Sequence, residues 1–233
     1  MKVLPLKTGS KGNMYILTTS NNYKYLIECG ISKKDIIKIL FEYNYKINEF
    51  EGCFVSHKHL DHCESIEYVS KYMPVYSNED VRNSRKGNII CIPPNKVYRT
   101  KDLKIIPFHL EHGNVENYGY IFKDDMHTIL FATDFSTIKS NIFNIVFDEI
   151  YIECNWNKEL ILDYQTESKE NRQINTHCSL DITYTALRKL NLSLCKKITL
   201  IHPSQDYCDI EKSLQFLREK IPNIEIVFAE NLI

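Results

Sequence analysis

Three imidazoles and a carboxylate fall within six residues in the run Ser56-His57-Lys58-His59-Leu60-Asp61-His62, directly behind the apolar segment Cys53-Phe54-Val55. In extended backbone, residues two apart project to the same side, so His57 and His59 can reach one cation. Asp61 and His62, on the first turn of a following helix, can face a second. Imidazole and carboxylate are the donors Zn²⁺ takes, and Mn²⁺ or Fe²⁺ where carboxylates contribute more. The plain alternative is an exposed His-rich loop in which Asp61 only caps the helix. Four further residues repeat the form of a short strand or loop delivering a metal-competent side chain. His112 follows Phe108-His109-Leu110-Glu111, and Asp134 ends Ile129-Leu130-Phe131-Ala132-Thr133. His177 opens a helix after a polar stretch, and His202 follows Ile198-Thr199-Leu200-Ile201. Six of the eight histidines take part; His109 and His127 are read as ordinary polar residues of the sheet.

The elements that must position these groups follow from periodicity. Residues 14–19 and 23–28 are β-rich runs around Ser20-Asn21-Asn22, a hairpin. Ile36, Ile37, Leu40 and Phe41 recur at helical spacing and predict an amphipathic helix over 32–43. A helix over 61–72 is expected to start on Asp61-x-x-Glu64, a capping-box pattern. Strands are expected near Val75 and over 103–108, 118–122, 128–132, 149–153, 198–201 and 225–228, and helices over 180–190 and 209–220. Strand-rich halves with interspersed helices imply two sheets covered by outer helices. Residues 165–176 are almost wholly polar and are read as a loop, a candidate lid or partner contact.

Composition narrows the class. With 233 residues, 43% of them apolar, the chain can bury a core as one domain spanning residues 1–233. Its 29 basic against 30 acidic residues exclude a protein that grips nucleic acid or anionic membrane by bulk charge alone. No signal peptide and no apolar run of about 18 residues is present, which places the expected location in the cytoplasm. The eight cysteines contain no C-x-x-C pair and are expected to be reduced and mostly buried. Residues 80–104 hold seven basic side chains (Arg82, Arg85, Lys86, Lys96, Arg99, Lys101, Lys104) against two acids (Asp80, Asp102). That segment either tracks a nucleic-acid backbone or is a solvated face.

The order of these motifs resembles the metallo-β-lactamase superfamily of dinuclear metal hydrolases over nearly the full length. The resemblance implies an α/β (α+β) four-layer αβ/βα sandwich and two divalent metal ions, Zn²⁺ or Mn²⁺. Residue by residue, His57, His59, His112 and Asp134 match the first metal site. Asp61, His62, Asp134 and His202 match the second, with Asp134 bridging. The stretches 6–13, 26–32, 152–155 and 202–204 resemble the WalJ (YycJ) group of nuclease-like proteins. Thr176-His177-Cys178-Ser179, with Leu200-Ile201-His202 downstream, resembles the C-terminal end of ribonuclease Z and of cyclic-phosphodiester hydrolases. In those families the histidine matching His177, paired with an acid matching Glu153, contacts the scissile phosphate and serves the leaving group, and lactam or thioester hydrolases generally lack it. Glu28 stands where many members carry Asp, and Pro203 where the WalJ group usually has Leu. The tRNA-gripping arm of ribonuclease Z has no room here, so a tRNA substrate is not expected.

The resemblance implies catalysis by Asp61, which orients the attacking hydroxide and can act as general base, and by His177, held by Glu153, which stabilises the transition state or protonates the departing oxygen. The expected substrate is a small phosphodiester such as a cyclic nucleotide, as for the phosphodiesterases some phages use against host defence. The alternative is a metal-dependent nuclease acting on DNA or RNA, and third comes a lactone or thioester hydrolase. No membrane partner is expected. Similar proteins are often homodimers, with 165–176 the candidate contact.

Overall fold

The computed structural model describes residues 1–162 and 176–230, so the expected loop at 165–176 lies, Thr176 apart, outside the described residues. One sheet runs in chain order: β1 (Lys2–Lys7), β2 (Met14–Thr18), β3 (Lys24–Ile27), β4 (Phe50–Phe54), β5 (Val75–Ser77) and β6 (Ile89–Cys91). Its first three strands are antiparallel and β3 to β6 are parallel. The second sheet holds β7 (Tyr98–Thr100), β8 (Leu103–His112), β9 (Val115–Lys123), β10 (Thr128–Ala132), β11 (Thr137–Ile138), β12 (Glu149–Glu153), β13 (Lys197–Ile201) and β14 (Glu225–Phe228). Their order is β11-β8-β9-β10-β12-β13-β14, with β7 paired to β8. Strands β10, β12, β13 and β14 are parallel.

The alternation of side chains along each strand sorts the residues into layers. On β2, Tyr15 and Leu17 enter the core between the sheets, and Met14 and Ile16 the core under the outer helix. On β10, Ile129 and Phe131 face the inter-sheet core while Leu130 and Ala132 face the other helix layer. Strands buried on both faces read as continuous apolar runs, which is why these were legible. The inter-sheet core is aromatic: Phe54 lies 5.1 Å from Tyr76, stacked, and 5.1 Å from Phe122, edge-on. Outside, the Lys33–Glu42 helix packs on the first sheet, and the Leu180–Lys189 and Ile210–Lys220 helices on the second. This is the expected four-layer αβ/βα sandwich.

Two local expectations are corrected. The Lys33–Glu42 helix buries Ile36, Ile39 and Leu40, leaving Ile37 48% and Phe41 82% exposed, so its inward stripe is narrower than the periodicity implied. The helix expected over 61–72 is instead two single turns, Leu60–Cys63 and Ile66–Val69, and Asp61 caps neither. The interruption has a cause. The Asp61 carbonyl accepts from Asn13 N (2.8 Å) and the His62 carbonyl from Cys29 N (2.9 Å), so neither is left for the helical ladder. Ser65, at the break, donates from its own N to the Cys29 carbonyl (3.0 Å) and from Oγ to the Ile31 carbonyl (2.6 Å). Strands β1, β6, β7 and β11 and the short Glu79–Ser84 and Lys158–Leu162 helices were not expected; none spans more than six residues, too few to show a period. β1 carries Pro5 and a register shift between Pro5 and Lys7.

Gly30 marks how tightly these loops are stitched. A Cβ there would lie 1.8 Å from the Asp61 carbonyl oxygen, a backbone atom that cannot swing aside. Gly30→Ala is therefore expected to cost about 3 kcal/mol or more and to displace the Asp61–His62 turn. Thermal unfolding together with metal content of the purified variant measures both; an unchanged protein would contradict the close approach.

Candidate metal centre

The metal-competent side chains meet at one edge of the sandwich because their strands end there. His57 and His59 follow β4, His112 closes β8, Asp134 follows β10, Glu153 closes β12 and His202 follows β13. Ligand sites beyond the carboxyl ends of parallel strands are the rule in open α/β sheets. Asp134 and His202 both sit in the left-handed region, with φ of 54° and 57°, which an Asp tolerates and most other side chains avoid. Hydrogen bonds hold both: Asn117 Nδ2 donates to the carbonyls of Thr133 and Asp134, and Asn155 Nδ2 to the His202 carbonyl (2.7 Å). The His202 N–H donates to Thr8 Oγ1 (2.7 Å).

Two donor groups result. In the first, His57 Nε2 is 2.9 Å and His112 Nε2 3.1 Å from His59 Nδ1. In the second, His62 Nε2 is 3.4 Å and His202 Nε2 3.5 Å from Asp61 Oδ2. Asp134 lies between them and turns one oxygen to each. Its Oδ1 is 3.3 Å from His62 Nε2 and 3.4 Å from His202 Nε2, while its Oδ2 is 3.9 Å from both His57 Nε2 and His112 Nε2. The donor atoms within each group lie within 4.8 Å of one another. The outer nitrogens are oriented as metal-ligating imidazoles usually are. His57 Nδ1 meets Ser56 Oγ (2.9 Å), His112 Nδ1 the Thr176 carbonyl (2.7 Å), and His62 Nδ1 the buried Glu28 carboxylate (3.4 Å).

The electrostatics match a cationic occupant. Burial, with His62 alongside, holds the His57 imidazole neutral well below its usual range. Burial and His112 bring His59 down to about 4, and burial lowers His112 as well. These three are neutral lone-pair donors at neutral pH. In the second group burial is outweighed: Asp134, Asp61 and Glu28 push His62 up, and the Asp134, Asp61 and Glu153 carboxylates take His202 up to about 10. Against burial, His62 and His202 keep Asp61 and Asp134 ionised. His202 Nε2 is buried with no hydrogen-bond partner. The second group thus draws positive charge, and the donor set fits divalent cations.

A third cluster adjoins. His177 Nδ1 is 2.7 Å from Glu153 Oε1 and 3.7 Å from Asp134 Oδ2. Burial opposes the charge on Glu153, but His177 and hydrogen bonds from His177 and His202 lower its pKa. The Asp61 and His177 side chains retain 26% and 14% exposure, against 2% or less for His57, His62, His112, Asp134, Glu153 and His202. Those two can therefore meet a ligand in the cleft of about 390 Å³ above the site. His109 and His127 lie elsewhere, His109 against the Tyr118 ring and His127 on the Met1 nitrogen (2.8 Å). Sequence reasoning assigned no role to Asn13, Asn117 and Asn155. Asn13 and Asn155 lie in the stretches that carried the resemblance; Asn117 had no signal at all.

The geometry predicts that Asp134→Ala lowers bound metal, read by elemental analysis, more than any other single change, since both groups lose a donor. Glu28→Gln should weaken metal binding roughly 10–100-fold. His177→Ala should leave metal content unchanged, and a loss as large as that of Asp134→Ala would make His177 a ligand.

A family model described as anti-Pycsar protein Apyc1 matches residues 7–86. Exodeoxyribonuclease WalJ of Streptococcus pneumoniae serotype 2 is 29% identical over 170 residues, 67% of this chain and 63% of that protein. Anti-Pycsar protein Apyc1 of Bacillus phage vB_BveM-Goe7 is 30% identical over 82 residues, 35% of this chain and 29% of that protein. The chain thus spans less than two thirds of the length of these relatives. Among solved structures, the metallo-β-lactamase fold protein YhfI of Bacillus subtilis superposes with a TM-score of 0.74 at 18% identity, covering 98% of this chain and 96% of that one. The short form of human tRNase Z gives 0.68 at 14% identity, covering 100% and 98%. Two face-to-face sheets, helices on both outer faces, and His and Asp residues gathered at their common edge make this chain a metallo-β-lactamase-fold protein, related in sequence to the WalJ and Apyc1 proteins.

Proposed function

We propose that the chain is a metal-dependent phosphodiesterase whose substrate is a small cyclic nucleotide. The observation that carries this reading is the His177–Glu153 pair, set at the cleft beside Asp134 but outside both donor groups. His57, His59, His112 and Asp134 would hold one divalent cation and Asp61, His62, Asp134 and His202 the other, with Zn²⁺ the first expectation and Mn²⁺ served by the same donors. When bound, such cations lower the pKa of water toward ~7 and neutralise phosphoryl oxygens. Asp61 orients the attacking water and accepts its proton. As the bond from phosphorus to the leaving oxygen breaks, its electron pair goes to that oxygen, which takes a proton from His177 Nε2. Glu153 keeps the Nδ1–H of His177 engaged and offsets the charge the ring carries before transfer.

Charge distribution supports a small substrate. Among the described residues Lys11 is the single Lys or Arg lining the cleft. No residue of the basic segment 80–104 lines it. Arg99 and Thr100 pair with Lys104 and Leu103 at the start of β8, eight residues of strand and roughly 26 Å from His112 at its other end. Arg85 is engaged with the Lys58 carbonyl (2.6 Å), and Lys58 with Asp80 (2.9 Å). The phage origin of the Apyc1 relative fits the same side. The likeness to WalJ over 67% of the chain supports the second reading, a nuclease.

Hydrolysis assays with cyclic mononucleotides, cyclic dinucleotides and single- and double-stranded DNA and RNA, each with Zn²⁺ or Mn²⁺ added, separate the two. Turnover of a cyclic nucleotide with little salt dependence is expected; binding that weakens steeply with salt would identify the nuclease. His177→Ala should lose roughly 10²–10⁴-fold in kcat, and wild-type rates from a metal-loaded variant would remove His177 from the reaction.

A further inference from the structure

We infer that Trp156 is a positioning residue that sets the aim of His177. The inference rests on the reading of His177 as the acid serving the leaving group. Trp156 lies three residues beyond Glu153 and packs against Tyr207, a residue of the cleft wall. Its indole Nε1–H donates to the His177 carbonyl at 3.1 Å.

That carbonyl belongs to the peptide between His177 and Cys178, a rigid plane. The N–H at the other end of the same plane donates to Glu153 Oε2 (3.3 Å), and Glu153 Oε1 holds His177 Nδ1 (2.7 Å). A closed loop results: indole, carbonyl, peptide plane, carboxylate, imidazole. Neighbouring peptides are tied down as well. The Thr176 carbonyl accepts from His112 Nδ1 (2.7 Å), the Cys178 carbonyl from Asn155 N (2.9 Å), and the Trp156 carbonyl from Leu180 N (2.9 Å). The Phe135 N–H donates to the same Glu153 oxygen, Oε2 (2.9 Å). Of these contacts the indole bond is the one made by a side chain with no other assigned part. Without it the peptide can tilt about its Glu153 end and carry the imidazole with it. The expected consequence is a misdirected Nε2, which matters in proportion to how badly the leaving oxygen needs a proton.

That proportion provides a signature that loss of fold does not produce. A p-nitrophenolate departs without protonation, whereas a sugar alkoxide does not. The test compares kcat of metal-loaded wild type and Trp156→Phe on bis-p-nitrophenyl phosphate and on the nucleotide phosphodiester that wild type cleaves. Both values come from one preparation, so their ratio is independent of the folded fraction. Expected is a loss of roughly tenfold or more with the alkoxide leaving group and less than about twofold with p-nitrophenolate, with metal content unchanged. On a His177→Ala background Trp156→Phe should then change neither rate further. Equal losses on both substrates, no loss, or a full additional loss in the double variant would overturn the role. Independently, Trp156 is the one tryptophan of the chain, so its indole N–H gives a single resonance, downfield of the backbone amides, in ¹⁵N-labelled wild type. Protection from solvent exchange is expected, and exchange at the rate of a free indole overturns the hydrogen bond even if the variant fails to fold. If wild type with either metal cleaves no phosphodiester at all, the phosphodiesterase reading falls first, and the role of Trp156 falls with it.

Discussion

Asp134, a carboxylate only 1% exposed, lies within 4 Å of five imidazole nitrogens, those of His57, His62, His112, His177 and His202. An ionised carboxylate withdrawn from water costs several kcal/mol unless charge and hydrogen bonds compensate. Much of the edge of this sandwich provides that compensation. β10 delivers Asp134 in a left-handed backbone conformation, Thr133 Oγ1 donates to its carboxylate (2.7 Å), and Asn117 holds its peptide from the adjacent strand. The histidines come from four other places in the chain and face it from both sides.

Backbone stitching distant from the chemistry keeps this arrangement in place. The Asn13 loop, the Cys29–Gly30 turn and the Asp61–His62 turn exchange main-chain hydrogen bonds and leave no room for a Cβ at position 30. The cost is a broken helix after His62. On the opposite wall, one short segment after β12 serves several functions. Glu153 holds His177 and lies 3.5 Å from His202, Asn155 holds His202, and Asn157 accepts from Asp209 N (2.7 Å) at the head of the last helix. Polar networks of this kind stabilise only when nearly every member is satisfied. The buried exceptions among the described residues are Asp102 Oδ1, Asn117 Oδ1 and His202 Nε2. Of these, His202 Nε2 points at the carboxylates where a cation fits.

The two donor groups differ in electrostatic character. Three mutually packed imidazoles are kept neutral by burial and by one another, while His62 and His202, set among carboxylates, are drawn toward protonation. The first group is therefore organised around lone pairs and the second around negative charge. A single bridging carboxylate can serve both because its two oxygens face different groups. Asp61 and His177 both line the cleft above that carboxylate.

The sequence by itself supplied the candidate donors. His57, His59, Asp61 and His62 are close in sequence, and strand-then-ligand order picked out His112, Asp134, His177 and His202, because strands buried on both faces are continuous apolar runs and their ends are visible; Glu153 entered only through the family resemblance. The sequence indicated most of the strands for the same reason, β1, β6, β7 and β11 excepted. Only the tertiary structure decided the rest. Whether 61–72 continues as a helix depended on hydrogen bonds from Asn13 and Cys29, donors 48 and 33 residues distant, which no local period registers. The inward face of the Lys33–Glu42 helix depended on which stripe met the sheet. The basic segment 80–104 has a clear charge in sequence, but its direction was set by β8, which carries Lys104 and His112 to opposite edges. Trp156 and Asn117 look like unremarkable strand-end residues until folding places their N–H groups against the carbonyls of His177 and Asp134. Periodicity and ligand chemistry are local properties that a sequence carries openly, whereas hydrogen bonds between distant loops exist only once the chain has closed on itself.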